Sequence, residues 1–412
     1  MEQEHDQMLK KIKVLDISNL IAGPGISTIL ADFGADVIKV EHPKAGDYIR
    51  NWGHKKDGIP LAWKSHGRGK RLLAVNISKP AGQKIIRRIA AEVDIMIESY
   101  RPGKLEEWGL DYETLSRDNP KLILVRVTGW GQTGPYKDRP GFGTLAEAFS
   151  GFAHITGQAD GPPTLPSFAL ADGVTALVGA YAVLAALYYR DVNDKPGQVI
   201  DLSIFESLFA VLGPQAIEYD QLKIVQKRFG NRSPRGVPRN AYQTSDNRWL
   251  AISASASDMA IRLFKAIGRD DMAADPQYAT PGKRLENGDL IDGTIADWIR
   301  QRPLKAVLAK LEDFKVPVAP VYDIAQIMQD PQYQARQSII QLPDEDLGAV
   351  KMTNIPVKFS KTPGRIRHTG RTQIGFDSID ILRSVGMSDP EIDQLIEQEI
   401  VIDPHRSNGK TN

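Results

Sequence analysis

The sequence predicts an α/β protein: a large domain built on a Rossmann-like parallel sheet, then a smaller α+β domain, with the chain returning to the large domain at its C-terminal end. Three observations carry this. Over the first 130 residues, short β-rich runs alternate with helical ones, as strands joined by crossover helices do. The run Ala171 to Arg190 is apolar on every side, so it reads as a helix buried at the centre of a domain. After Ser207 the pattern changes to a basic, turn-rich stretch followed by a compact unit with its own hairpin.

Taken in order, Lys13 to Ile17 reads as a strand, Ile26 to Phe33 as an amphipathic helix and Asp36 to Glu41 as a second strand. Ala81 to Glu92 is a helix, Asp94 to Glu98 a third strand and Lys121 to Val127 a fourth. Residues 1–220 form the first part of the large domain and 221–239 the crossing. Residues 240–322 form the small domain, with a turn at Asp246-Asn247 and helical runs Met259 to Ile267, Leu285 to Arg302 and Leu304 to Phe314. The segment 323–412 holds a helix, short strands at Val350 to Met352 and Val357 to Phe359, and a last amphipathic helix. There is no internal repeat, and the final SNGKTN reads as disordered.

Composition narrows the function. Lys plus Arg is 52 against 51 for Asp plus Glu, so no global field draws nucleic acid or a membrane surface, and any bound anion must be met by local basic groups. The absence of cysteine removes disulfides, thiolate nucleophiles and thiolate metal sites, and it suits a cytoplasmic protein. The polar start MEQEHDQMLKK does not read as a signal peptide. The apolar run from Gly173 to Tyr189, 17 residues, is short for a bilayer span. The chain therefore reads as soluble. Of the seven histidines, His5, His368 and His405 read as surface residues, and no pair has metal-ligand spacing.

Ligands on a parallel sheet sit at the C-terminal ends of the strands, so the loops after the strands are where chemistry is expected. The loop after Ile17 holds Gly23 and Gly25 with Glu41 beyond, close to a dinucleotide fingerprint. Thr28 stands where the third glycine belongs, and Ser18 to Ala22 separates the strand from the first glycine, which disfavours a nicotinamide oxidoreductase. Further on, Arg68, Lys70 and Arg71 sit among glycines that let backbone approach a phosphate. Tyr100 and Arg101 precede a Pro-Gly turn and could stack on or bond to a nucleotide. Thr128 to Pro135 is glycine-rich and reads as a loop that closes on a ligand. Asp172, followed by Gly173 at the start of the apolar helix, is either an N-cap or a carboxylate open to attack on a substrate.

Several stretches in one order resemble the family III coenzyme A transferases, typified by formyl-CoA and carnitine-CoA transferases. They are VLDISNLIAGP from Val14, LADFGADVIKVE from Leu30, Gly46-Asp47 with Arg50, Arg101-Pro-Gly, TGWGQTGPY from Thr128, LADG from Leu170, PGQVIDLSIFES from Pro196 and the tail from Gly375 to Val401. The resemblance implies Asp172 as the catalytic nucleophile. The carboxylate attacks an acyl-CoA thioester to give a mixed anhydride, CoA thiolate returns to give an aspartyl-CoA thioester, and an incoming carboxylic acid leaves as the new thioester. A helix N-terminus would help keep that carboxylate ionised.

The resemblance further implies CoA contacts from Ile21 and Ala22, and from His42, which stands where an arginine is common. Lys70 and Arg71 are the stronger candidates, joined by Ser99 in place of an asparagine, Tyr100, Arg101, and Lys137 or Arg139 near the phosphates. Glu107 stands where a further arginine is found. It implies no permanently bound cofactor and no metal, CoA thioester and carboxylic acid as substrates, and an interlocked homodimer. The related α-methylacyl-CoA racemases pair the aspartate with a histidine upstream of Ser150-Gly151; Phe142 occupies that place and His154 is out of register, which leaves racemase as the second reading.

Overall fold

In the computed structural model, residues 7–406 are described. His5 and the SNGKTN tail lie outside the described residues.

Strands β1 (Lys13–Asp16), β2 (Asp36–Glu41), β3 (Arg71–Ala74), β4 (Ile95–Glu98), β5 (Ile123–Thr128) and β6 (Val199–Ser203) form one parallel sheet in the order β3-β2-β1-β4-β5-β6. Successive residues point to opposite faces, so Val14, Ile95, Ile97 and Val125 enter one core while Leu15, Met96 and Leu124 enter the other. Such near-continuous apolar strands belong to a sheet covered on both sides. On one face lie α1 (Ala22–Asp32) and α4 (Leu170–Val192); on the other lie α2 (Pro80–Ala90) and two helices of the C-terminal segment, α9 (Ser378–Ser384) and α10 (Asp389–Glu397). Strand order reverses between β1 and β4, and a crevice opens there at the C-terminal ends.

Two expectations change here. The sequence predicts four strands over its first 130 residues, whereas the sheet has six: Arg71, expected among glycines that approach a phosphate, opens β3, and β6 is added at the other edge. The helix α4 is not buried on all sides. Ala176, Gly179, Ala180 and Val183 pack inward, whereas Leu177, Tyr181, Leu184 and Tyr188 form one stripe with exposures of 64%, 64%, 44% and 70%. By length and composition α4 could cross a membrane, yet its inner face is part of the sheet's core.

The chain divides into two compact units: one runs up to Phe152, then Pro166–Gly213 and from Ala335 onward; the other is Ala153–Leu165 with Pro214–Gln334. The return begins at Ala335 rather than 323, and the stretch read as a crossing belongs to the second unit. That unit has an antiparallel sheet of β7 (Arg239–Gln243), β8 (Trp249–Ser253) and β9 (Val318–Pro320), with β8 in the middle. Helices α6 (Ser257–Ala266), α7 (Gly288–Arg300) and α8 (Leu304–Asp313) close its core around Leu250, Phe264, Ile295 and Leu311. In the return segment, Val350 to Met352 belongs to a hairpin of β10 (Ile339–Asp344) and β11 (Gly348–Thr353), while Val357 to Phe359 is not a strand.

Candidate active site

A cavity of about 350 Å³ occupies the crevice of the large unit. Its walls are the loops after β1, β4 and β5, together with Asp172 in the first turn of α4.

The loop after β1 is held from below by buried charge. Asp16 accepts hydrogen bonds from the Ser18 backbone N–H (3.0 Å), the Ser18 hydroxyl (2.5 Å) and the Ser27 hydroxyl (2.5 Å), and it pairs with Lys70 (3.3 Å) and Lys39 (3.8 Å). Burial alone would raise the Asp16 pKa; the two ammonium groups and the two hydroxyls outweigh it and hold the carboxyl below its ordinary value. Lys39 also pairs with Asp47 at 3.0 Å and donates to the Ser18 carbonyl. Asp47 in turn accepts from the Leu20 amide at 3.2 Å. Leu20 has φ +68°, a conformation that costs a branched side chain about 1–3 kcal/mol and persists only where its surroundings enforce it. Ile21, Ala22 and Gly23 follow on the cavity wall, already entering α1.

Ser99 joins two walls, its hydroxyl accepting from the Asn19 amide at 2.9 Å, and Tyr100 and Arg101 come next along the cavity. The third loop, Gly129 to Gly141, is pinched at its neck: a Cβ on Gly129 would stand 2.6 Å from the Gly141 Cα. Trp130 closes this neck by donating to the Pro140 carbonyl (3.0 Å) and meets Phe149 edge to face at 4.9 Å. The loop presents Lys137 and Arg139 to the cavity, Arg139 stacked 3.7 Å over the Tyr136 ring. Neither Arg101, Lys137 nor Arg139 has a carboxylate partner among the described residues.

Asp172 is not the N-cap of α4. That position is Ala169, which offers no side-chain acceptor, and Asp172 lies in the first turn with no hydrogen-bond donor on its carboxylate among the described residues. The carboxylate rests against Gly143, the first residue of α3 (Gly143–Phe149), where an added Cβ would stand 2.2 Å from an Asp172 oxygen. Burial, with Glu147 as a second and like charge, pushes the Asp172 pKa up to about 6. A carboxyl at about 6 is still mostly ionised at neutral pH.

Three other expected ligand contacts do not line the cavity. Lys70, 1% exposed, is spent on Asp16 and on the Pro24 carbonyl at 2.7 Å. Arg71 opens β3 and pairs with Asp36 at 2.6 Å, on the first residues of two parallel strands and so at the far edge of the sheet from the crevice. His42 is exposed and accepts from the Lys44 (3.2 Å) and Ala45 (3.3 Å) amides. Phe142 lines the cavity beside Asp172, and no histidine does among the described residues. Nor do the described residues hold a cluster of three or more His, Asp or Glu able to bind a metal ion.

A doubly wound sheet with a cationic crevice at its switch point and a carboxylate raised to about 6 defines an α/β enzyme for a phosphate-bearing ligand. Residues 9–377 match the model of CoA-transferase family III. The chain belongs to that family and is a CoA-transferase. It is 39% identical over 89% of its length to succinyl-CoA--D-citramalate CoA-transferase of Chloroflexus aurantiacus, covering 92% of that protein. It is 32% identical over 86% of its length to human succinyl-CoA:glutarate CoA-transferase, covering 80% of it. A CaiB/BaiF family protein from Brucella suis superposes with a TM-score of 0.81 at 30% identity, over 92% of this chain and all (100%) of that one.

Proposed function

We propose that the protein moves CoA from an acyl-CoA to a free carboxylic acid through covalent intermediates on Asp172. The observation that carries this is a carboxylate with no hydrogen-bond donor among the described residues, on the wall of a cavity that Arg101, Lys137 and Arg139 also line. An Asp172 oxygen attacks the thioester carbonyl carbon and the C–S bond breaks, leaving a mixed anhydride and CoA thiolate. The thiolate attacks the Asp172 carbonyl carbon of the anhydride, which releases the donor acid as its carboxylate and leaves aspartyl-CoA thioester. The acceptor carboxylate then displaces thiolate from that thioester to form a second anhydride. The thiolate takes the acceptor's acyl carbon, and the Asp172 carboxylate is freed. No net proton or electron is consumed.

Succinyl-CoA is the proposed donor and a small dicarboxylate the proposed acceptor, because the similar enzymes from Chloroflexus aurantiacus and human are named for succinyl-CoA with citramalate or glutarate. The reaction needs no resident cofactor. Its proposed setting is the cytoplasm, as a homodimer in which a second copy covers the Leu177–Tyr181–Leu184–Tyr188 stripe of α4. Racemisation is disfavoured by Phe142, which offers no second proton carrier at the cavity. The test is incubation with succinyl-CoA, quenching with hydroxylamine or borohydride, and peptide mass spectrometry. Modification at Asp172 is expected; turnover with no label there would overturn the assignment.

A further inference from the structure

One turn of α3 separates Gly143 from Glu147, and both serve the same end of α4. Gly143 leaves room for the Asp172 carboxylate. Glu147 is only 3% exposed, and its Oε1 accepts the backbone N–H of Ala171, immediately before Asp172, at 3.2 Å. Ala169 supplies no cap of its own, so a carboxylate from a neighbouring helix does that work.

We infer that Glu147 is a positioning residue for Asp172: it fixes the first turn of α4 from outside and sets a buried negative charge behind the nucleophile. The proposal rests on Asp172 being the nucleophile. A cap drawn from Asp172 itself would tie up the reactive oxygen in the helix. Glu147 instead takes the amide and offsets the positive end of the helix, leaving the Asp172 carboxylate unengaged and more basic.

The elements packed against α4, its own far end and the cavity wall carry the other charged and titratable groups. Helix α1 carries Asp32, paired with Arg68 at 2.7 Å. Strand β5 carries Arg126, paired with Glu98 (2.8 Å) and Glu106 (2.7 Å), and β6 carries Asp201, which accepts from the Gln132 amide (3.0 Å). Helix α5 (Ile204–Phe209) carries Glu206. The far end of α4 carries Arg190 and Asp191, paired with each other at 2.7 Å. The cavity wall adds Tyr48, Tyr100, Arg101, Lys137 and Arg139. Burial first, and then the Glu147 carboxylate, raise the Asp172 pKa.

The test compares Glu147→Gln and Glu147→Ala with wild type, reading kcat and kcat/KM for CoA transfer against pH. In Glu147→Gln the amide oxygen can still accept from Ala171 while the charge is gone. The acid limb of kcat/KM, expected near pH 6 in wild type, is expected to fall by roughly one unit. In Glu147→Ala the amide contact is lost as well, and kcat is expected to drop about tenfold with the KM for acyl-CoA unchanged. A wild-type acid limb near pH 4, or a limb that does not move in Glu147→Gln, overturns the proposal; the first of these needs no variant to fold. The same trapping experiment on wild type separates the two levels. Label on Asp172 with an unmoved limb removes the role of Glu147 alone, whereas no label on Asp172 removes the nucleophile and this role with it.

Discussion

Asp16 and Asp172 are both withdrawn from water in the same unit, and their pKa values are shifted in opposite directions. Asp16 stands among two ammonium groups and two hydroxyls and is held ionised below its ordinary pKa. Asp172 faces a glycine and a second carboxylate and is pushed up to about 6. Burial is common to both, so the partners decide. Where each oxygen is engaged, the carboxylate fixes a loop; where none is, it is left basic enough to attack and poorly solvated.

Removing each carboxylate breaks the comparison in a different way. Asp172→Ala is expected to lower transfer activity on the order of 10⁴-fold or more while circular dichroism and CoA binding persist, because only the reacting group is lost. Asp16→Ala is expected to cost about 3–5 kcal/mol in chemical denaturation, since it strands Lys39 and Lys70 as buried cations and loosens the loop that ends in Leu20.

The opposite shifts also predict opposite effects of pH. Asp172 has its folded pKa raised from 3.8 to about 6, so between those values the folded state holds a proton that the unfolded state has released. Its contribution to stability therefore falls as pH rises through that window, and above it the ionised group costs about 3 kcal/mol relative to an exposed aspartate. Asp172→Asn should raise the melting temperature at pH 7 and leave it nearly unchanged below pH 3.8, measured by calorimetry. Asp16, lowered, has the reverse sign: the stability it supplies is present above 3.8 and lost as pH falls through its folded pKa. The smallest expected effect is at the cavity rim. Lys137→Ala and Arg139→Ala should each raise the KM for acyl-CoA about tenfold, with kcat retained and the difference shrinking in high salt.

What the sequence disclosed follows the same division. Strands such as Asp36 to Glu41 were readable because β-branched residues fill them, and the loops after them fell in the crevice as a parallel sheet requires. Arg71–Ala74 escaped because it carries no β-branched residue and follows a glycine-rich approach. That error displaced Lys70 and Arg71 from their expected role, since cations among glycines look alike whether they meet a phosphate or a buried aspartate. Glu147 gave no signal either. A glutamate within GTLAEAFSG reads as the solvent side of a helix, and only the docking of α4 onto that helix shows it buried. The exposed stripe of α4 was hidden by composition, because a helix apolar on every side does not reveal which side the sheet will take.

The edge strand β3 is closed by residues made long after it. Asp377 accepts the Leu72 amide at 2.8 Å, Ser378 accepts that of Ala74 at 3.0 Å, and Val75 bridges to Val401. At a ribosomal pace of about 5–20 residues per second, roughly 300 residues intervene between the edge and its cover, so a nascent chain carries an open template for tens of seconds. Demand for chaperones during synthesis, and sensitivity to truncation at the far end, are written into the order in which this sheet is closed.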